Sequence, residues 1–133
     1  MRYFIVALLG LALVAAVAPV HGHHSFAAQY DRDQPVELTG AVTKVEWNNP
    51  HVYFYIDVLN EETNSIENWA WEMGAPAVIQ RSGWTRNSMK IGDLVTVEGS
   101  RAKNGDTHGN ARSVVMVSTG ERLGAGSSQN VTP

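Results

Sequence analysis

The chain has 133 residues, 44% of them hydrophobic, with 10 Lys+Arg against 13 Asp+Glu and no cysteine. A formal charge of −3 offers no basic patch of the kind that nucleic-acid binding demands. The missing cysteines exclude a disulfide framework, a thiolate metal site and a cysteine nucleophile.

The chain opens on Arg2 and a nearly unbroken apolar run from Phe4 to Ala18, stopped by Pro19. A positive start, an apolar stretch of about 7–15 residues and a small-residue cleavage site define a secretory signal. The run is shorter than the about 20 residues of a membrane span. Residues 1–22 therefore read as a signal peptide, with Val20 and Gly22 at the −3 and −1 positions. A cut after Ala18 also satisfies the small-residue rule but leaves Pro19 at the new terminus. Cleavage after Gly22 makes His23 the first residue of a mature chain of 111 residues, without a membrane anchor and bound for the periplasm or the exterior. It removes one cation, so 9 Lys+Arg then face 13 Asp+Glu. That length makes one domain with room for a core.

Residues 23–35 read as an irregular N-terminal arm. From Val36 to Val42 apolar or small residues alternate with polar ones, as in a half-buried strand. The alternation slips near Lys44 and resumes at Val45 and Trp47. With Gly40, that slip predicts a bulged, strongly coiled strand. Asn48-Asn49-Pro50 is a turn signal. His51–Leu59 is the clearest strand, with Val52, Phe54, Ile56 and Val58 on one face and His51, Tyr53, Tyr55 and Asp57 on the other. Ile66–Met73 alternates again, with Trp69 and Trp71 opposite Asn68, Ala70 and Glu72. Pro76 suits the first position of a short helix ended by Gly83. Leu94–Gly99 and Ala111–Ser118 are the last two strands, joined by a polar loop over 101–110 that holds His108. A Gly/Ser-rich flexible tail is expected over 120–133.

Five strands with one short helix between the third and fourth is the order of an OB-like Greek-key barrel, here over residues 23–119. An immunoglobulin-like sandwich needs about seven strands.

The histidines carry the main chemical signal. A free N-terminal His23 can chelate a metal through its α-amine and ring, and neutral imidazole is the commonest protein metal ligand. Nitrogen-rich square or T-shaped sets favour Cu(II). The arrangement resembles the histidine brace of secreted copper proteins. A second imidazole comes from His24, His51 or His108, and the sequence does not choose among them. Asn49 and Asp57 are the sequence neighbours that stand nearest to His51 as orienting partners. The aromatics give a different reading: a metal-free interaction module whose Trp47, Tyr53, Tyr55 and Trp71 bind a partner protein, a glycan or a small ligand. No spacing fixes a carboxylate pair or a Ser-His-Asp triad. The leading expectation is therefore an exported binding module for a transition metal, copper first, rather than an enzyme. A copper-dependent oxidative enzyme is a third and weaker reading.

The motifs His23-His24-Ser25-Phe26, Leu38-Thr39-Gly40, Asn49-Pro50-His51-Val52, Gly83-Trp84-Thr85 and Asn110-Ala111-Arg112-Ser113 together resemble a family of small secreted bacterial proteins of unknown function. The resemblance covers nearly all of the mature chain. It implies export from a bacterial cell and cleavage just before the double histidine, and it supplies no activity.

Overall fold

A computed structural model describes residues 26–126. Residues 1–25, which include the expected signal peptide, His23 and His24, and residues 127–133 fall outside this range. The described chain runs α1 (Phe26–Gln29), β1 (Tyr30–Glu46), β2 (Tyr53–Asn60), β3 (Ser65–Glu72), α2 (Pro76–Arg81), β4 (Leu94–Ala102), β5 (His108–Met116) and β6 (Arg122–Gly124). No described helix is long and apolar enough to cross a membrane.

The sheet order is β3-β2-β1-β4-β5-β6. A parallel pairing of β3 with β5, Ala70 with His108 through Glu72 with Asn110, joins the two sides. Five strands thus form a closed ring, β1-β2-β3-β5-β4, in the connectivity expected of an OB-like fold. All other pairings are antiparallel.

The length of β1 makes the ring possible. Its first part pairs with β4 and its last part with β2, and Ala41 faces both Leu94 and Asp57. A strand shared in this way must coil, and the register shifts between Val42 and Lys44, where the alternation slips in the sequence. Gly40 sits at the crossing. A Cβ there would run into the Asp57 carbonyl oxygen, so only glycine lets the strands approach.

Period-two patterning fills the interior. Phe54, Ile56 and Val58 of β2 are buried together with Trp69 and Trp71 of β3 and Val95 and Val97 of β4. The Trp71 ring lies against Gly99 and Gly109, where any side chain would strike it. The β2–β3 turn closes on Asn60, whose Oδ1 accepts from the Glu62 and Thr63 amides.

Three features differ from the sequence expectation. The described residues make two short helices rather than one, because Phe26–Gln29 makes a turn of its own on a satellite cluster of Phe26, Tyr30 and Ala102. β1 begins at Tyr30, inside the segment read as an irregular arm; its register also shifts between Tyr30 and Pro35. The stretch from Gly120, expected to start a flexible tail, makes β6 on β5. It continues into a buried Ala125 that bonds Gly74. The Trp84 indole donates to the Gly124 carbonyl and fastens this segment beside α2. Such a short strand has no alternation to read. Its strand partner β5 is the preceding strand, but the contact that fastens it, Trp84 beside α2, lies 40 positions away in sequence.

Candidate functional site

The polar cluster at one end of the ring is built from four elements. β3 ends on Glu72, which pairs with Tyr53 at the start of β2. The turn before β2, with its cis Asn49–Pro50 peptide, brings in His51. β5 starts on His108, opposite Ala70 of β3. β1 starts on Tyr30, opposite Ala102 of β4.

Glu72 is the centre. It is 8% exposed, and its Oε2 accepts hydrogen bonds from the Tyr30 hydroxyl at 2.6 Å and the Tyr53 hydroxyl at 2.9 Å. Its Oε1 lies 3.3 Å from His51 Nδ1, which is also 3.1 Å from the Met73 carbonyl oxygen. On the other side, His108 Nε2 is 3.1 Å from the Tyr30 oxygen. The His108 ring stands edge-on to Tyr30 at 5.5 Å and tilted to Tyr53 at 6.2 Å. A cleft of about 310 Å³ opens beside it, lined by Gln29, Tyr30, Lys103, Asn104 and His108 among others.

Both hydroxyls stay protonated. Burial pushes the Tyr30 and Tyr53 pKa values well above the usual 10.0, and the hydrogen bond and the charge of Glu72 add to it. The tyrosines are therefore neutral donors to the carboxylate at ordinary pH. Two imidazoles border the cluster.

Of the residues singled out in the sequence, His51 and His108 converge on this cluster from opposite sides of Glu72. His108 is the first residue of β5, held by strand pairing, rather than part of a flexible loop. His23 and His24 lie outside the described residues. The four aromatics do not share one face. Trp71 is fully buried inside the ring, out of reach of a surface ligand, because β3 turns its tryptophans inward. Tyr53 and Tyr55 lie on the outer face of β2, each with its hydroxyl on a carboxylate. Trp47 is half-buried under the Arg86 guanidinium at 5.9 Å. Asp57, a candidate to orient His51, instead accepts from Asn68 at 2.8 Å. Asn49 is exposed in the turn.

Glu72 and Tyr30 are the residues that sequence reasoning missed. Alternation puts Glu72 with outward-facing Asn68 and Ala70, which predicts a solvated carboxylate. Tyr30 sits in a polar run that shows no period. The available signal was their chemistry: a glutamate ending a strand beside an Asn-Pro-His turn, and a lone tyrosine close to the histidine pair.

Among the described residues, no group of three or more His, Asp or Glu side chains is placed to hold a metal ion. A family model described as a family of unknown function, DUF6152, matches residues 11–112. The chain belongs to this family. The matched stretch includes the double histidine, Tyr30, His51, Glu72 and His108, so every part of the polar cluster lies within the DUF6152 region. No curated protein matches the chain.

Proposed function

We propose that this DUF6152 protein is an exported module of the bacterial periplasm that binds a transition metal, copper in the first place, at the polar end of its ring. The ligands would be the mature N-terminal His23, through its amine and ring, with His51, His108 and His24 as the candidates for further imidazoles. The placement of α1 is the observation that carries this reading. Phe26 is buried, its ring centroid lies 5.4 Å from that of Tyr30, and the Tyr30 ring lies 5.5 Å from His108. His24 and His23 precede Phe26 by two and three residues. Three positions in sequence therefore separate the proposed chelating residue from a side chain packed on the His108 side of the cluster.

The chemistry agrees with the ligand type. The described cluster offers imidazole nitrogens and one carboxylate already engaged by two hydroxyls, which favours a nitrogen-bound metal over a hard, oxygen-bound cation. The described residues do not make a complete set, and the reading therefore depends on a free amine at His23. Titrating mature protein with Cu(II) tests it. One ion should bind per chain with an electron paramagnetic resonance spectrum of nitrogen ligation, and one extra residue before His23 should weaken binding sharply. Equal affinity of authentic and extended termini would overturn the reading.

A further inference from the structure

We infer that the cleft between α1 and the β4–β5 turn binds a small carboxylate with an apolar body, and that the Lys103 ammonium meets its charge. This site needs no metal and stands apart from the reading above.

The cleft forms where two segments distant in sequence meet. Lys103, the first residue after β4, ties the β4–β5 turn to α1 twice. Its amide donates to the Gln29 carbonyl at 2.9 Å, and its Nζ donates to the Ala27 carbonyl at 2.6 Å. A helix of one turn leaves these carbonyls free, so the lysine finds acceptors there. The ammonium is thereby held on the wall of the cleft, and two of its three protons remain to be given. Among the described residues no carboxylate pairs with it.

The rest of the wall suits an anion with an apolar body. Among the described residues that line the cleft there is no Asp or Glu. Asp106, the acid of the same turn, has its Oδ2 on the Asn104 amide at 2.7 Å. Glu72 lies behind Tyr30, whose hydroxyl proton it takes. Gln29 adds an exposed amide that can donate. The inner wall is apolar: Tyr30 is 2% and Ala102 8% exposed, and the Tyr30 and His108 rings meet edge-on at 5.5 Å. Near 310 Å³, the cleft stands at the lower end of small-molecule sites, where a mainly apolar wall holds the body of a ligand and a few polar groups orient it. An acid the size of one ring meets both needs. A cationic ligand of that size would face Lys103 with no acid to offset it.

The probe is benzoate, titrated into the metal-free mature protein at constant ionic strength and followed in assigned ¹H–¹⁵N spectra. Benzyl alcohol and benzylammonium serve as controls of similar shape and different charge. Benzoate should give saturable shifts, half-complete at millimolar concentration, at Gln29, Lys103, Asn104 and His108. Benzyl alcohol should bind about tenfold more weakly, and benzylammonium should leave these signals in place. Lys103→Met keeps the apolar stem and drops the charge, and it should weaken benzoate about tenfold, while Lys103→Arg should keep the site. Shifts that grow without saturating, or that follow basic residues over the whole surface, would show non-specific ion association and overturn the inference. Equal binding of the three probes, or unchanged benzoate affinity in Lys103→Met, would overturn it as well. If Lys103→Met also loosens α1, seen as shifts throughout residues 26–30, the ranking of the three probes on the wild type decides the matter alone.

Discussion

Two tyrosine–glutamate pairs sit two residues apart along β2 and have opposite characters. Tyr53 donates to Glu72, and Tyr55 donates to Glu46, each at 2.9 Å. Glu46 is partly exposed and has a cation beside it, Lys44 at 2.5 Å. The Lys44 ammonium, with the Tyr55 hydroxyl, holds the Glu46 carboxyl below its usual range. Glu72 is buried, and its oxygens face two tyrosine hydroxyls and one imidazole. The same tyrosine–carboxylate pairing therefore belongs to a solvated ion pair at one position and a buried hydrogen-bond hub at the next. The difference comes from what covers each carboxylate. β1 starts over Glu72 with Tyr30, while the Glu46 side chain stays 33% exposed.

The largest break in this comparison is Glu72→Ala. It strips the acceptor from two tyrosine donors, one of them buried, and should cost about 2–4 kcal/mol, since each buried orphaned group costs about 1–3 kcal/mol. Urea unfolding with an unchanged m-value measures it. Next comes Tyr30→Phe, which leaves the ring in place and removes one bond to Glu72 and one to His108. A loss of about 1–2 kcal/mol is expected, against no measurable loss for Tyr55→Phe on the solvated pair. Equal losses for the two would erase the distinction between the sites.

Alkaline pH sharpens the contrast further. Tyr30 and Tyr53 ionise at higher pH in the folded chain than the 10.0 of the unfolded one. Their contribution is complete below pH 10 and is lost as pH rises through the folded values, because there the unfolded state releases protons that the folded state keeps. Unfolding free energy should therefore fall steeply above pH 10 in the wild type, and the Tyr30→Phe/Tyr53→Phe double variant should lose most of that slope. The smallest effect belongs to Glu46→Ala. The Lys44–Glu46 pair is exposed and screened, so the variant should match the wild type in thermal unfolding at moderate salt.

The ring was legible because its strands obey simple periods. The inward set of Phe54, Ile56 and Val58 and the bulge before Lys44 follow from alternation and its slip. The cluster was legible only in its histidines and Tyr53. Its hub was not, because burial of Glu72 is imposed by Tyr30, a residue 42 positions away whose own strand start has no pattern. Patterning tells which face of a strand turns inward. It does not tell when the outward face is covered by a chain segment arriving from elsewhere, and that is how Glu72, Tyr30 and the docked β6 escaped the reading. Trp71 is the converse case: it was assigned to one side of β3 by alternation, and the ring closure made that side the interior.

The most direct measurement is the native mass of tag-free protein recovered from the exported fraction. The account predicts a chain that begins at His23 and carries one bound metal ion, which is lost when His108 is replaced by alanine. A chain beginning at Pro19, a retained N-terminal segment, or a His23 chain that stays metal-free with copper supplied would contradict it.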